Sequence, residues 1–214
     1  MNYRKIILPF IALLACTSMP LVSQARPGII PSPAGSNNEF FVEAGLTYAS
    51  GVKNVVDQLT TNMGFESTDT WPVGIKISAY TTTPSGFAFG GGFGPSTFIE
   101  VRDRNHHYYN HDDKQTSYIF PVFADVRYYF PKSGTLTPYA RAGVAYPFSG
   151  GDLLGSGTPG PVVAVGLHVW EHRILAIGVE AGYDGSKVEV KEGYLHGAEK
   201  VQATEFTLSV FAVF

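Results

Sequence analysis

Residues 106–113 bring three imidazoles and two carboxylates into one short segment: His106, His107, His111, Asp112 and Asp113, with Tyr108, Tyr109 and Asn110 between them. Imidazole nitrogens and carboxylate oxygens are the ligands that zinc and similar divalent ions take, so a loop folded back on itself would gather a donor set. The spacing follows no zinc pattern, and a solvated polar loop accounts for it, so no metal and no cofactor are expected. The two tyrosines suit contact with a partner.

Gly155, Gly157 and Gly160 match G-x-G-x-x-G. That fingerprint cradles a pyrophosphate only when a strand precedes it and a helix follows, because the helix N-terminus supplies the amides. Here Pro161 and a valine-rich segment follow. A flexible surface loop is the expectation.

A third set is spread along the chain. Glu43, Lys76, Asp125, Arg127, Arg141 and Glu180 each interrupt a segment that is otherwise apolar at alternate positions. Three acids and three bases, if gathered in one low-dielectric place, must pair and hydrogen-bond. What could gather them is a set of strands, and the segment from Ser117 to Phe148 shows how. Tyr118, Phe120, Val122, Ala124, Val126, Tyr128 and Phe130 fall on one parity; Asp125 and Arg127 fall on the other. Pro131–Thr135 has a tight-turn composition. Ala140, Ala142, Val144, Tyr146 and Phe148 then lie opposite Thr137, Tyr139, Arg141 and Gly143. A period of two means a two-faced strand, and the pair predicts a long hairpin. In a soluble sandwich its charged face meets water. In a membrane barrel the charged face looks inward and the apolar face meets lipid.

Six more strands follow the same pattern. Glu39–Tyr48 sets Phe40, Val42, Ala44, Leu46 and Tyr48 against Glu43. Trp71–Thr81 sets Val73, Ile75, Ile77 and Ala79 against Lys76 and Ser78. Phe87–Val101 carries Gly90, Gly91, Gly92 and Pro95, which predict a bend or bulge and leave its parity open. Pro161–Trp170 sets Val163, Val165, Leu167 and Val169 against His168. The strand from Ile174 sets Leu175, Ile177, Val179, Ala181 and Tyr183 against Glu180. The last has Phe206, Leu208, Val210, Ala212 and Phe214 on one face.

Eight strands result, joined by links that alternate long and short. The long ones are 49–70, 102–116, 149–160 and 184–200, with a short helix expected over Val52–Leu59 and the flanks of 184–200 expected to extend their strands. The short ones are Thr83–Gly86, Pro131–Thr135 and Glu171–Arg173. That alternation, with an even strand count, is the outer-membrane pattern of short periplasmic turns and longer surface loops. Aromatics mark both interfaces: Phe40, Phe87, Phe130, Trp170 and Phe214 at one end, Tyr48, Trp71, Phe148 and Tyr183 at the other.

Composition agrees. Charged residues are 15% of the 214, against about a quarter in ordinary globular chains. Aromatics are 14% and glycines number 24. No apolar run beyond residue 25 is long enough for a membrane-spanning helix. At the N-terminus, Arg4 and Lys5 precede the apolar run Ile6–Ala15, and Ser23-Gln24-Ala25 is a small-x-small cleavage site. Cleavage between Ala25 and Arg26 is expected. The rival reading is Leu13-Leu14-Ala15-Cys16, which resembles a lipobox and would leave Cys16 lipidated. Loss of residues 1–25 removes two basic groups and leaves 13 against 18 acidic ones, net −5, with no basic footprint for nucleic acid. Residues 26–38, with three prolines and two glycines, read as a flexible leader, and 39–214 as one barrel domain.

Phe206–Phe214, an amphipathic strand ending in Phe, resembles the signal by which outer-membrane proteins are handed to their assembly machinery. Together with Phe120–Phe130 and Thr137–Gly143 it resembles the small outer-membrane β-barrel family that includes the barrel of outer-membrane protein A, in the style of Bacteroidetes members. The resemblance implies an all-β, eight-stranded antiparallel up-and-down transmembrane barrel in the outer membrane, with lipid and the assembly machinery as partners. It says little about activity. Eight strands leave an interior that side chains can fill, so a plugged lumen without general porin activity is expected, and a structural or surface-contact role through the four long loops. Two alternatives stand beside it. One is a lipid A or phospholipid-modifying enzyme, which needs a His and Ser set near the outer rim; His168 lies near the other end without a His-x-Ser pattern, and His196 has no evident nucleophile. The other is a narrow or gated channel for a small solute.

Overall fold

In the computed structural model, residues 39–63, 65–66, 72–103, 114–131, 133, 135–171, 175–191, 199–202 and 204–214 are described. The expected signal segment, the Ala25/Arg26 cleavage site, Cys16, the leader 26–38, the histidine-rich segment 106–113 and His196 lie outside them. The elements are β1 (Phe40–Ala49), α1 (Gly51–Met63), β2 (Phe65–Glu66), β3 (Val73–Thr82), β4 (Phe87–Phe93), β5 (Thr97–Asp103), β6 (Lys114–Tyr129), β7 (Thr137–Gly151), β8 (Leu154–Thr158), β9 (Gly160–Glu171), β10 (Ala176–Asp184), β11 (Lys187–Val190), β12 (Glu199–Gln202) and β13 (Glu205–Val213).

Neighbours run β1, β3, β4 with β5, β6, β7, β9, β10, β13 and back to β1. First and last strands pair antiparallel, with Leu46 opposite Val210 and Glu43 opposite Val213. The result is a closed, all-antiparallel barrel of eight staves, β4 and β5 sharing one. Closure leaves no long edge to pair with another chain.

The side-chain alternation inferred for seven strands is the one observed. Leu46, Ile75, Val165 and Val210 point outward and are 55–64% exposed, while Glu43, Lys76, Asp125, Arg127, Arg141 and Glu180 are all buried. A soluble protein buries its apolar face; this chain displays it all round. Hydrocarbon, not water, solvates such a surface. Phe40, Phe87, Phe130 and Phe214 stand exposed at the short-turn end, and Tyr48 and Phe148 at the other.

The third stave is broken at one of the two places expected. The three glycines do not bend it: they lie within β4, and the break comes at residues 94–96, around Pro95. β4 pairs with β6 up to Phe93 opposite Val122, and β5 resumes with Thr97 opposite Ile119. Gly94 donates its N–H to Pro121 O across the break, at 2.7 Å. Its parity is now defined, with Phe87 and Phe89 outward and Ala88 inward. The break leaves a seam. β3 pairs with β4 only from Ile77 to Thr82, whereas Val73–Lys76 pair on their other side with β1. At the seam Gly74 packs against Pro95, so closely that an added Cβ would collide with the Pro95 backbone.

The long links are more ordered than expected. The helix inferred over Val52–Leu59 extends to Met63. Residues 187–190 and 199–202 do not prolong the staves; with β8 they form a separate three-stranded sheet, β12-β11-β8. The G-x-G-x-x-G segment is therefore no flexible loop: Gly155 and Gly157 sit in β8, and Gly157 pairs with Val188. The cause is a second apolar core. Val55 of α1, Leu153, Leu154, Val188 and Val190 bury against Ile99 and Ile119, with Val201 at the edge. Ile99 and Ile119 are inward residues of the staves at the long-loop end, so this cluster is a lid seated on the barrel mouth.

Candidate functional site: the charge network in the lumen

Inward parity delivers the six charged residues from five staves to the middle of the barrel. Arg127 grips Glu43 with both terminal nitrogens, Nη1 to Oε1 at 2.5 Å and Nη2 to Oε2 at 2.8 Å. Ser78 Oγ also donates to Glu43 Oε2, at 3.0 Å. Glu180 is the hub of the other half. Its Oε1 accepts from Lys76 Nζ at 2.7 Å and faces Arg141 Nη2 at 2.9 Å; its Oε2 accepts from Tyr139 Oη at 2.8 Å. Arg141 Nη1 donates to Asp125 Oδ2 at 2.6 Å, and Tyr80 Oη donates to the same oxygen at 3.1 Å. Every one of the six is thus in an ion pair, and three charges of each sign leave the group neutral. Bidentate guanidinium–carboxylate pairing with added hydrogen bonds is the arrangement that offsets desolvation best.

Of the aromatic side chains of the interior, the sequence placed Tyr139 beside Arg141 on the inward face; Tyr80, Phe123 and Phe211 were not singled out. Arg127 Cζ lies 3.8 Å from the Tyr80 ring centroid and 4.7 Å from that of Tyr139. Arg141 stands over Phe123, and Lys76 Nζ lies 5.6 and 5.7 Å from the Phe123 and Phe211 rings. The cations are thus capped by ring faces, an attraction that strengthens on desolvation. Glycines make the room. Gly90 lies opposite Tyr80, Gly166 opposite Tyr139 and Gly178 opposite Phe211 in the register. At each of the three, an added Cβ would strike that ring. The ring of one stave lies over the bare backbone of the next, as aromatic residues do when they cover strand glycines. The signal was present in the sequence as inward-parity glycines paired with inward-parity rings, but it needed the register to be read.

Below the network, toward the short turns, Phe41, Tyr80, Ala88, Tyr129, Tyr139, Ala176, Phe211 and Val213 fill the bore. Phe41 stacks on Tyr80 at 5.4 Å between centroids. Above it lie Phe123, Ala145 and Val162, then the Thr47–Ser209 hydroxyl pair, 2.8 Å apart. Higher still, Asp184 accepts from Ser186 N and Thr204 Oγ1, tying down the start of the β11–β12 excursion. The lid completes the stack. His168, placed on the inner face by parity, is fully buried at the short-turn end among Tyr129, Tyr139 and Phe211. Outside, β13 turns Phe206, Leu208, Val210 and Phe214 outward, with Ala212 half-buried beside them.

No family model matches the chain, and no curated protein matches its sequence. Solved structures do resemble it. The outer-membrane protein OprG from Pseudomonas aeruginosa superposes with a TM-score of 0.52 at 12% identity, over 86% of this chain and 98% of that one. AlkL, an outer-membrane protein studied in DMPC bilayers, gives 0.48 at 14%, over 87% and 94%. Neisserial surface protein A gives 0.43 at 16%, over 83% and 97%. With the closed register, the outward apolar belt and the OprG superposition together, the chain has the fold of the small eight-stranded outer-membrane β-barrels.

Proposed function

We propose that the protein is an integral outer-membrane barrel whose lumen is closed to solutes and which acts through its long-loop face, in a structural or surface-contact role. The observation that carries this is the stacking of three fillings in one bore: the aromatic layer, the neutral ion network and the apolar lid. A solute crossing it must break ion pairs in a low-dielectric interior, which costs several kcal/mol per exposed charge. The lid gives the surface a shape built from α1, β8, β11 and β12; loops 49–70, 102–116, 149–160 and 184–200 would meet a surface partner. Membrane lipid and the assembly machinery, reading Phe206, Leu208, Val210, Ala212 and Phe214, are the other partners. A non-enzymatic role is supported by His168, which is walled in by rings.

Planar-bilayer recording on the refolded protein tests the closed lumen. The expected trace has no steady open level; a large, steady conductance overturns it. Lipid A mass spectra from a deletion strain test the non-enzymatic role. They should match the parent strain, and a mass change restored by the intact gene would replace this reading with a lipid-modifying one.

A further inference from the structure

His168 is a fully buried ionisable side chain of the bore with no hydrogen bond into the ion network among the described residues. Neither of its ring nitrogens has a hydrogen-bond partner among the described residues, although a neutral imidazole always carries one N–H. Orphaned buried polar atoms are rare and call for an explanation. The backbone beside the ring is irregular and leaves it room. The β9–β10 register slips between Ile177 and Gly178, pairing Trp170 and then His168, so that Val169 is bulged out. Gly178, opposite the imidazole, has no side chain; a Cβ there would press on His168 and Phe211. Bulges that re-aim a side chain recur beside functional groups.

The surroundings suit a cation. Ring centroids of Tyr139, Tyr129 and Phe211 lie 5.5, 5.6 and 6.0 Å away, within cation–π range. From β1, Glu43 Oε1 stands 3.9 Å from Nε2, too far for a hydrogen bond to the neutral ring. From β6 come Arg127 and Tyr129, from β7 Tyr139, from β3 Lys76 and Tyr80, and from β10 Glu180 at the next inward position past Gly178. Arg127 has an alternative to Glu43 within reach: its Nη2 is already 3.8 Å from Glu180 Oε2.

We propose that His168 is a proton-binding site that exchanges partners in the lumen. Once protonated, Nε2–H takes Glu43 Oε1, and Arg127 releases that oxygen and turns to Glu180. The step moves one proton from solvent onto imidazole and makes or breaks no other covalent bond. It gives the barrel a proton-linked rearrangement at its periplasmic end.

Nitrogen-15 NMR of the folded protein in lipid nanodiscs, from pH 8 to pH 4.5, is the test, with His168→Asn to assign the ring signals. Expected is an imidazole titration at His168, with the Arg127 side-chain signals moving over the same pH range. In Glu43→Gln the proton affinity of His168 should fall at least tenfold. An imidazole that stays neutral throughout overturns the proposal, and so does a titration indifferent to Glu43→Gln. Should that variant not fold, the wild type and His168→Asn decide alone: an Arg127 transition that persists without the imidazole, or that is absent from the wild type, overturns it equally.

Discussion

Arg127 lies face-on to Tyr80, Cζ 3.8 Å from the ring centroid, while the two belong to staves separated by β4. The ring reaches Arg127 by crossing Gly90, the β4 residue opposite it. A cation, a ring and a glycine from three successive staves therefore form one packing unit, and substitutions at its members have calculable effects.

Arg127→Met should destabilise the barrel by about 3–5 kcal/mol, because Glu43 is left charged and enclosed with only Ser78 to bond it. Adding Glu43→Met should recover most of that loss, since an apolar pair of similar volume removes the stranded charge. Urea unfolding in lipid vesicles measures both. A double variant no better than the single would mean that packing on Tyr80, rather than charge, dominates.

Gly90→Val should cost about 1–3 kcal/mol, the usual range for overpacking, because its side chain would enter the space held by the Tyr80 ring. Near-ultraviolet circular dichroism should report the displaced ring. Gly91→Ala, whose side chain would meet the β6 backbone near Phe123 instead, should leave that tyrosine signal in place.

Val126→Arg puts a charge on the lipid face of β6, between the outward-facing aromatics Tyr118 and Phe130. A mid-depth lipid-facing arginine costs about 2–4 kcal/mol. Unfolding from bilayers should shift accordingly, and an unchanged midpoint would contradict the outward assignment.

Leu154→Asp places a carboxylate inside the lid core beside Val188 and Val190. The lid should loosen while the staves stay closed: protease added to intact vesicles should cut between residues 151 and 204 faster, yet the heat-induced gel shift of the barrel should persist. Loss of the gel shift would show that lid and barrel fold as one unit.

The strand faces were legible because each outward row runs four or more residues at a strict period of two, as from Tyr118 to Phe130, and a one-residue slip would put Asp125 and Arg127 in lipid. The six lumen charges followed from the same parity. The lid was not legible. Its members, Val55, Ile99, Ile119, Leu153, Leu154, Val188 and Val190, are scattered along the chain, and Leu154, Val188 and Val190 lie in β8 and β11, only five and four residues long. No period can be read over so few positions. The glycine half of the bend expected in the third stave failed for a different reason. Glycine triplets usually mark bends, but here they make room for neighbours, and the proline that lacks an N–H does the bending.

Two of the ion pairs are chords, not rungs. Arg127 and Glu43 are 84 residues apart, and Lys76 and Glu180 are 104 apart; neither pair sits on neighbouring staves. Arg141 and Asp125 can meet within one hairpin, β6–β7, but the Arg127–Glu43 and Lys76–Glu180 pairs need staves from separate parts of the wall. Their share of the electrostatic gain is therefore withheld from partial forms of the wall and released in the closing step.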